Sequence, residues 1–87
     1  MDDPASVPAA TLDITLDLCP MTFVKTKLEL EDLRPGEVLE VFLRQGEPLE
    51  NVTRSSEEEG HRVLTKDPAL ERGAGIWRLT IRCGGEG

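Results

Sequence analysis

The feature that most constrains the fold of this chain is an alternation of apolar and polar residues that recurs in three segments. In residues 11–18, Leu or Ile occupies every even position and Thr or Asp every odd position. Residues 38–44 and 76–83 repeat the pattern, although Val38 and Phe42 add apolar side chains to the polar side of the second segment. Because successive side chains of a strand point to opposite faces of a sheet, the pattern predicts three half-buried strands.

The segments between these strands carry helical signals. Residues 20–33 are good helix formers and begin with a proline. Residues 47–59 begin with a Glu-Pro pair and are followed by Gly60, a residue suited to a left-handed cap. A short fourth strand is predicted over residues 61–65, followed by a long hairpin connection over residues 66–75. The predicted order is β-α-β-α-β-β. Since a sheet covered on both faces has continuously apolar strands, the alternation predicts that both helices pack on one face.

A chain of 87 residues has room for one small core. We expect a single domain over residues 11–83, with a flexible lead-in over residues 1–10 and a flexible tail over residues 84–87. The lead-in is acidic and contains prolines, unlike the basic and then apolar start of a signal peptide. No apolar run approaches the roughly 18 residues that a membrane span requires. The sequence therefore predicts a cytoplasmic chain without a membrane segment.

Charge and composition exclude several classes of partner. The net charge is −7, and aromatic residues make up 3% of the chain, so phosphate backbones are repelled and platforms for stacking bases are scarce. We expect no direct binding of nucleic acid or membrane. Two cysteines and one histidine are fewer than the roughly four ligands of a closed zinc site. Neither a metal nor an organic cofactor is predicted.

The candidate reactive residue is Cys19, which follows the first predicted strand and immediately precedes Pro20 at the start of the first predicted helix. Unpaired N–H groups at a helix start stabilise a negative charge by about 0.3–2 kcal/mol, enough to lower a thiol pKa of about 8.5 and populate the thiolate near neutral pH. His61, the one histidine of the sequence, precedes a predicted strand, and the sequence does not give its distance from Cys19. Without an identified base, acyl transfer is poorly supported. A buried, inert thiol at the end of a strand remains the alternative.

Two further residues, Met21 and Leu28, lie on nearly the opposite side of the first predicted helix from Phe23 and Leu30. Only one of these two stripes can face the sheet. Either Leu28 is an ordinary exposed apolar residue, or Met21 and Leu28 form a docking patch beside the helix start. Cys83 lies on the apolar side of the last strand, where a packed side chain is expected.

Several motifs with consistent mutual spacing resemble those of one protein family. They are Leu12-Asp13, Cys19-Pro20-Met21, Phe23-Val24-Lys25-Thr26-Lys27, Pro35-Gly36-Glu37-Val38-Leu39-Glu40-Val41 and Glu59-Gly60-His61-Arg62-Val63-Leu64. Over residues 12–83 the chain resembles the TusA family of sulfur carriers, also called SirA-like or YedF-like. The resemblance implies an α/β (α+β) two-layer sandwich whose mixed four-stranded sheet carries two helices on one face.

The resemblance also implies a function. The cysteine of a Cys-Pro-x-Pro motif carries a persulfide in this family, which assigns that role to Cys19, with Pro20 and Thr22 as supporting motif positions. It implies a cysteine desulfurase or rhodanese-type donor and a downstream acceptor protein in tRNA thiolation, cofactor biosynthesis or sulfur metabolism. The chain would act as a monomeric, sulfurtransferase-type carrier, and the persulfide sulfur would be its only bound group.

The chain departs from the family pattern at two places. Thr22 stands where the second proline of the motif usually lies, and Thr15-Leu16 replaces a common Arg-Gly pair, which leaves donor and acceptor specificity open. The Thr22 hydroxyl would either bond locally or contact the sulfur. Two other functions also stay open: a non-catalytic binding or regulatory module that docks through Met21 and Leu28, and a redox-responsive thiol protein that uses Cys19 and Cys83.

Overall fold

In the computed structural model, which describes residues 8–16 and 21–84, two helices pack on a four-stranded sheet. A 3₁₀ turn, Leu70–Arg72, precedes the last strand. The predicted order β-α-β-α-β-β is confirmed. The elements are β1 (Ala10–Asp13), α1 (Met21–Asp32), β2 (Val38–Arg44), α2 (Glu47–Glu58), β3 (Arg62–Pro68) and β4 (Ile76–Arg82).

The sheet has the strand order β1-β2-β4-β3. The β1 strand runs parallel to β2, with Leu12 opposite Val41, whereas β2 and β3 are both antiparallel to β4. The sheet is therefore mixed, as the family resemblance implied. The parallel pair requires a crossover connection, and α1 lies within that connection.

The core lies between the helices and one face of the sheet. On that face the alternating aliphatic residues of β2 and β4 are fully buried and Trp77 is partly buried. They pack against one Leu of α1 and two apolar residues of α2. Burial of each such side chain contributes about 1.5–3 kcal/mol relative to its exposure. The buried aliphatic residues are Leu39, Val41 and Leu43 of β2, Leu79 and Ile81 of β4, Leu30 of α1, and Leu49 and Val52 of α2.

The second face of the sheet is less exposed to solvent than the alternation predicts. Phe42 points to this face and is nevertheless only 2% exposed. The guanidinium of Arg72 lies 3.8 Å from the centroid of the Phe42 ring, and the guanidinium of Arg78 lies 5.3 Å from it. The 3₁₀ turn thus carries a cation over the ring, and this contact helps to remove an otherwise exposed aromatic side chain from water.

The predicted strand over residues 11–18 is too long, because β1 ends at Asp13. Ile14 still donates its N–H to the Phe42 carbonyl at 2.9 Å and buries its side chain. Thr15 and Leu16 then form a turn, and Leu16 is 86% exposed instead of facing the core. The cause is local, since the Asp13 carboxylate bonds Thr15 and bends the chain away from the sheet.

The predicted strand over residues 61–65 is too short, because β3 continues to Pro68. The register shifts between Val63 and Thr65, and pairing with β4 resumes beyond this bulge. The connection is correspondingly shorter than the predicted hairpin over residues 66–75. A proline is tolerated here because β3 is an edge strand, which has a neighbouring strand on only one side among the residues that the structure describes.

Helix α2 ends in the way that the glycine signal predicts. Gly60 has a φ of +96°, its N–H bonds the Glu57 carbonyl at 3.1 Å, and the His61 N–H bonds the Ser56 carbonyl at 3.0 Å. This pair of bonds satisfies carbonyls that would otherwise lack partners at the helix end. It also fixes His61, whose Nδ1 accepts a 2.9 Å bond from the Gly84 N–H.

The described residues bear on the ends of the chain only in part. Ala9 donates its N–H to the Val38 carbonyl at 2.7 Å, so chain pairing begins one residue before β1. Strand pairing therefore includes Ala9 and Ala10 of the predicted lead-in. Residues 1–7 of the lead-in, residues 17–20, which include Cys19 and Pro20, and residues 85–87 of the predicted tail lie outside the described residues. In the described ranges, neither helix is long and apolar enough to cross a membrane.

Candidate functional site

The segment that carries Cys19 leaves the sheet at the carboxyl end of β1, beside the carboxyl end of its parallel neighbour β2. Asp13 is the last residue of β1, and Arg44 is the last residue of β2. In α/β folds, ligands and reactive groups gather where parallel strands end, because the connections that leave there are free to vary. Four residues, 17–20, join Leu16 of the turn to Met21 of α1.

Side chains from both strands hold this turn. Asp13 Oδ1 accepts bonds from the Thr15 N–H at 2.9 Å and from the Thr15 hydroxyl at 2.7 Å. Arg44 Nε donates a 2.8 Å bond to the Thr15 carbonyl oxygen. The backbone and hydroxyl bonds from Thr15, with a smaller contribution from the Arg72 guanidinium, hold the pKa of Asp13 below its usual range. The carboxylate is therefore ionised at neutral pH.

Sequence reasoning missed Asp13, Thr15 and Arg44 as parts of this site. An Asp followed two residues later by Thr is a known turn pattern, and it was available in the sequence. The strict alternation of residues 11–18 led to the prediction of a strand there instead of a turn. The bond from Arg44 had no local signal, because 29 residues separate it from Thr15.

The predicted docking residues are exposed on α1. Met21, the first residue of the helix, is 45% exposed, and Leu28, two turns later, is 57% exposed. Val24 lies between them and is also exposed, so the three side chains form one apolar stripe along the helix. We call Met21, Val24 and Leu28 the α1 stripe. Its exposure agrees with the prediction from helical spacing, whereas its role as a docking surface stays a prediction.

The opposite side of α1 is buried, and two of its three buried residues are threonines. Its buried residues are Thr22, Thr26 and Leu30, with Phe23 packed partly against the core. The Thr26 hydroxyl donates a 2.8 Å bond to the Thr22 carbonyl, which satisfies a polar group inside the protein. Thr22 therefore belongs to the buried side of the first helical turn.

The second thiol, Cys83, lies at the other end of the molecule. Its N–H donates a 2.7 Å bond to the carbonyl of Glu37, directly before β2 begins. The turn that leads to Cys19 is bonded to Arg44, where β2 ends, and the six residue steps between Val38 and Arg44 span about 20 Å. The fold thus separates Cys83 from that turn.

Burial and charge also make Cys83 a poor nucleophile. It is 7% exposed, and burial together with the Glu37 carboxylate raises the pKa of its thiol. His61 lies near Cys83, through its bond to Gly84, and on the opposite edge of the sheet from β1. Within residues 8–16 and 21–84, no three His, Cys, Asp or Glu side chains lie close enough together to hold a metal ion.

Known proteins are similar to this chain over nearly all of its described part. The family model described as sulfurtransferase TusA matches residues 10–83, a span that includes Cys19. A candidate sulfur carrier protein of Archaeoglobus fulgidus is 39% identical over 71 residues, which are 82% of this chain and 77% of that protein. Another from Methanocaldococcus jannaschii is 41% identical over 71 residues, or 82% of this chain and 89% of that protein.

The fold is also similar to a solved structure. The crystal structure of a SirA-like protein from Desulfitobacterium hafniense matches with a TM-score of 0.71 and 25% sequence identity. The match covers 86% of this chain and 97% of that one. The likeness therefore extends over the whole sandwich.

Proposed function

The chain belongs to the TusA family of sulfurtransferases, and we propose that it relays sulfur by carrying a persulfide on Cys19. The observation that carries this proposal is the family match over residues 10–83, combined with the position of Cys19 two residues before α1 begins. Membership of a sulfur-carrier family implies a donor protein and an acceptor protein. A cysteine desulfurase or a rhodanese-type protein is the proposed donor.

The proposed chemistry needs only an accessible thiolate. The Cys19 thiolate attacks the outer sulfur of a persulfide on the donor, a new S–S bond forms at Cys19, and the donor cysteine leaves as a thiolate. No oxidant or reductant is consumed, because the sulfane sulfur only changes its thiol partner. Transfer to the acceptor repeats the same exchange in the opposite direction. A general base is not required, which is consistent with the position of His61 on the opposite edge of the sheet from β1.

The contrast between the two cysteines supports Cys19 as the carrier. A raised pKa and burial keep Cys83 in the unreactive thiol form, because the thiolate is the nucleophile in such exchange. Cys83 lies near the start of β2, whereas the turn that precedes Cys19 in the chain is bonded to the end of β2, about 20 Å away. This separation argues against a working pair, since a disulfide requires Cα atoms about 4.4–6.8 Å apart. These observations disfavour the alternative of a redox-responsive protein that uses both thiols.

Docking of the donor and the acceptor is proposed to use the α1 stripe. Met21 begins the helix two residues after Cys19, and Leu28 extends the apolar surface along the same side. An unbranched, polarizable Met side chain can repack against more than one partner, which a relay protein requires. The stripe also keeps a second candidate function open, a binding or regulatory module in which Cys19 has no chemical role.

The cellular setting is proposed from the sequence. We expect a monomer that works in the cytoplasm and hands sulfur to tRNA thiolation, cofactor biosynthesis or another branch of sulfur metabolism. The acidic net charge of −7 disfavours direct contact with RNA, so sulfur would reach any tRNA through another protein.

Loading from a donor tests the proposal and separates it from the binding-module alternative. The protein is incubated with a cysteine desulfurase and cysteine, and its intact mass is measured without reductant. We expect the wild type and Cys83→Ala to gain one sulfur atom and Cys19→Ser to gain none. If the wild type gains no sulfur yet still binds the desulfurase, the binding module becomes the better description.

A further inference from the structure

Thr15, four residues before Cys19, has each of its polar groups bonded to a side chain from a neighbouring strand end. Its N–H and hydroxyl donate to Asp13 Oδ1, and its carbonyl oxygen accepts from Arg44 Nε, with all three distances between 2.7 and 2.9 Å. Asp13 is held in turn, because Arg72 Nη1 lies 3.9 Å from its other carboxylate oxygen. The turn is therefore fixed from both β1 and β2.

These bonds do little for the core. The Asp13 and Arg44 residues are exposed, and Leu16 is 86% exposed, so the leucine of this turn adds no apolar surface to the core. Exposed hydrogen bonds contribute modestly to global stability, because water competes for both partners. What the bonds do fix is the direction in which the chain leaves the sheet toward Cys19.

We propose that Asp13 and Arg44 are positioning residues for sulfur transfer, which hold the turn so that Cys19 meets the donor sulfur in a productive geometry. This role rests on the proposed function, since it concerns the approach of two sulfur atoms. A misplacement of about 1 Å in a reacting group can slow a reaction by up to about 100-fold. Loss of the Thr15 bonds is therefore expected to affect transfer far more than folding.

Two substitutions at one position separate the hydrogen bonds of Asp13 from its charge. Asp13→Asn removes the charge but keeps an Oδ1 acceptor in the same place, whereas Asp13→Ala removes both. Loss of the charge alone would lower the pKa of the Cys19 thiol equally in both variants. The difference between them therefore reports on the bonds to Thr15. We expect sulfur loading by a desulfurase to slow about 10-fold or more in Asp13→Ala and to stay within about 3-fold of wild type in Asp13→Asn.

A second readout does not depend on sulfur transfer. In a Cys83→Ala background, the rate of Cys19 alkylation by iodoacetamide is followed against pH. If the turn holds the thiol at the start of α1, Asp13→Ala will move the profile to higher pH than Asp13→Asn does, because the helix N-terminus stabilises the thiolate. Arg44→Gln and Arg44→Met both remove the positive charge, but only Gln keeps a donor nitrogen at the position of Nε. The loading rate should therefore fall in Arg44→Met as in Asp13→Ala, and less in Arg44→Gln.

Asp67 offers a matched control. It lies on the same sheet face and in the same cross-strand row as Asp13, with Phe42 and Arg78 between them, but on the opposite edge strand. Asp67→Ala is expected to load sulfur and to react with iodoacetamide as the wild type does. Urea unfolding of every variant shows which of them are folded.

The outcomes separate the positioning role of Asp13 and Arg44 from the proposed sulfur relay on Cys19. If Asp13→Ala and Arg44→Met are folded and match the wild type in both loading rate and alkylation profile, the positioning role is wrong. If Asp13→Ala does not fold, the difference between Arg44→Met and Arg44→Gln decides by the same two measurements. If the wild type fails to load but its variants still differ in alkylation profile as described, the positioning of Cys19 stands and the proposed sulfur relay falls.

Discussion

The Sγ atom of Cys83 lies 3.4 Å from the carbonyl oxygen of Leu30, in the last turn of α1. It also lies 3.6 Å from the carbonyl oxygen of Leu33, just past the helix end. The Leu30 carbonyl also accepts the Leu33 N–H at 3.1 Å, so the thiol is a second, weak donor to a carbonyl at the helix end. Cys83 is therefore part of the structure that ends α1, and its protonated form is the one that fits there.

Alkaline pH should weaken this arrangement. The pKa of Cys83 is raised in the folded protein by burial and by Glu37, so its contribution to stability is complete below the ordinary thiol pKa and is lost as pH rises through the folded one. We expect Cys83→Ala to lower the free energy of unfolding by about 1 kcal/mol at pH 7. The difference from wild type should shrink above about pH 8.5. Urea denaturation at pH 7 and pH 10 measures both values, and a difference that does not change with pH would contradict the assignment.

The buried ring on the second face of the sheet gives a separate test. Phe42→Ala is expected to lower the free energy of unfolding by about 3–5 kcal/mol, as for other buried aromatic residues. Arg72→Ala removes the cation from the ring and should cost about 0.5–1 kcal/mol. Chemical denaturation gives both numbers. A cost below about 1 kcal/mol for Phe42→Ala would mean that this face is as open as the alternation pattern suggested.

The close approach of Gly84 to the end of α2 predicts that no larger residue is tolerated there. A Cβ atom on Gly84 would overlap the Gly60 carbonyl oxygen, which belongs to the backbone and cannot move as a side chain would. We expect Gly84→Ala to lower the free energy of unfolding by about 1–3 kcal/mol. His61→Leu, which removes only the bond from the Gly84 N–H, should cost about 1 kcal/mol. Equal stability of Gly84→Ala and wild type in thermal or urea unfolding would show that the approach is looser.

Much of the architecture could be predicted from periodicity and helix-end residues. The β2 strand has the predicted bounds Val38–Arg44, and Gly60 ends α2 with the left-handed conformation expected of it. These features are local, since alternation and a glycine cap act within a few residues of the chain. The strand order was not predictable in this way, because it depends on pairings between distant segments.

The errors have physical causes that hydropathy does not capture. Leu16 reads as a core residue, but the bonds from Asp13 and Arg44 to Thr15 turn the chain outward before it. The buried side of α1 contains Thr22 and Thr26, whose polarity hides that side from an apolar pattern. In both places hydrogen bonds decide which residue is buried, against the preference of apolar side chains for the core and of polar side chains for water.

The α1 stripe should matter for transfer and not for stability. Leu28→Glu places a carboxylate where an apolar contact with the donor is proposed, and an unpaired charge loses hydration in such an interface. We expect kcat/KM for sulfur loading to fall about 10-fold or more, equivalent to about 1.4 kcal/mol, mainly through a higher KM. Alkylation of Cys19 by iodoacetamide and the free energy of unfolding should stay unchanged.

Leu70 provides the matched control for this substitution. It is also an exposed leucine, but it lies on the 3₁₀ turn over the opposite face of the sheet. Leu70→Glu is expected to load at the wild-type rate. Equal loading by both variants would leave Leu28 as an ordinary exposed residue, and an unfolded Leu28→Glu protein would mean that the buried side of α1 had been assigned wrongly.

The most direct test of the account is the location of the transferred sulfur. After loading by a desulfurase, persulfides are blocked by alkylation and the protein is digested with trypsin, which cleaves after Lys25 and Arg82 and so places the two cysteines in different peptides. We predict that the sulfane sulfur is found in the peptide of residues 1–25, which contains Cys19, and is missing from the peptide of residues 83–87. Sulfur on Cys83, or on neither peptide, would contradict the central claim that Cys19 is the carrier.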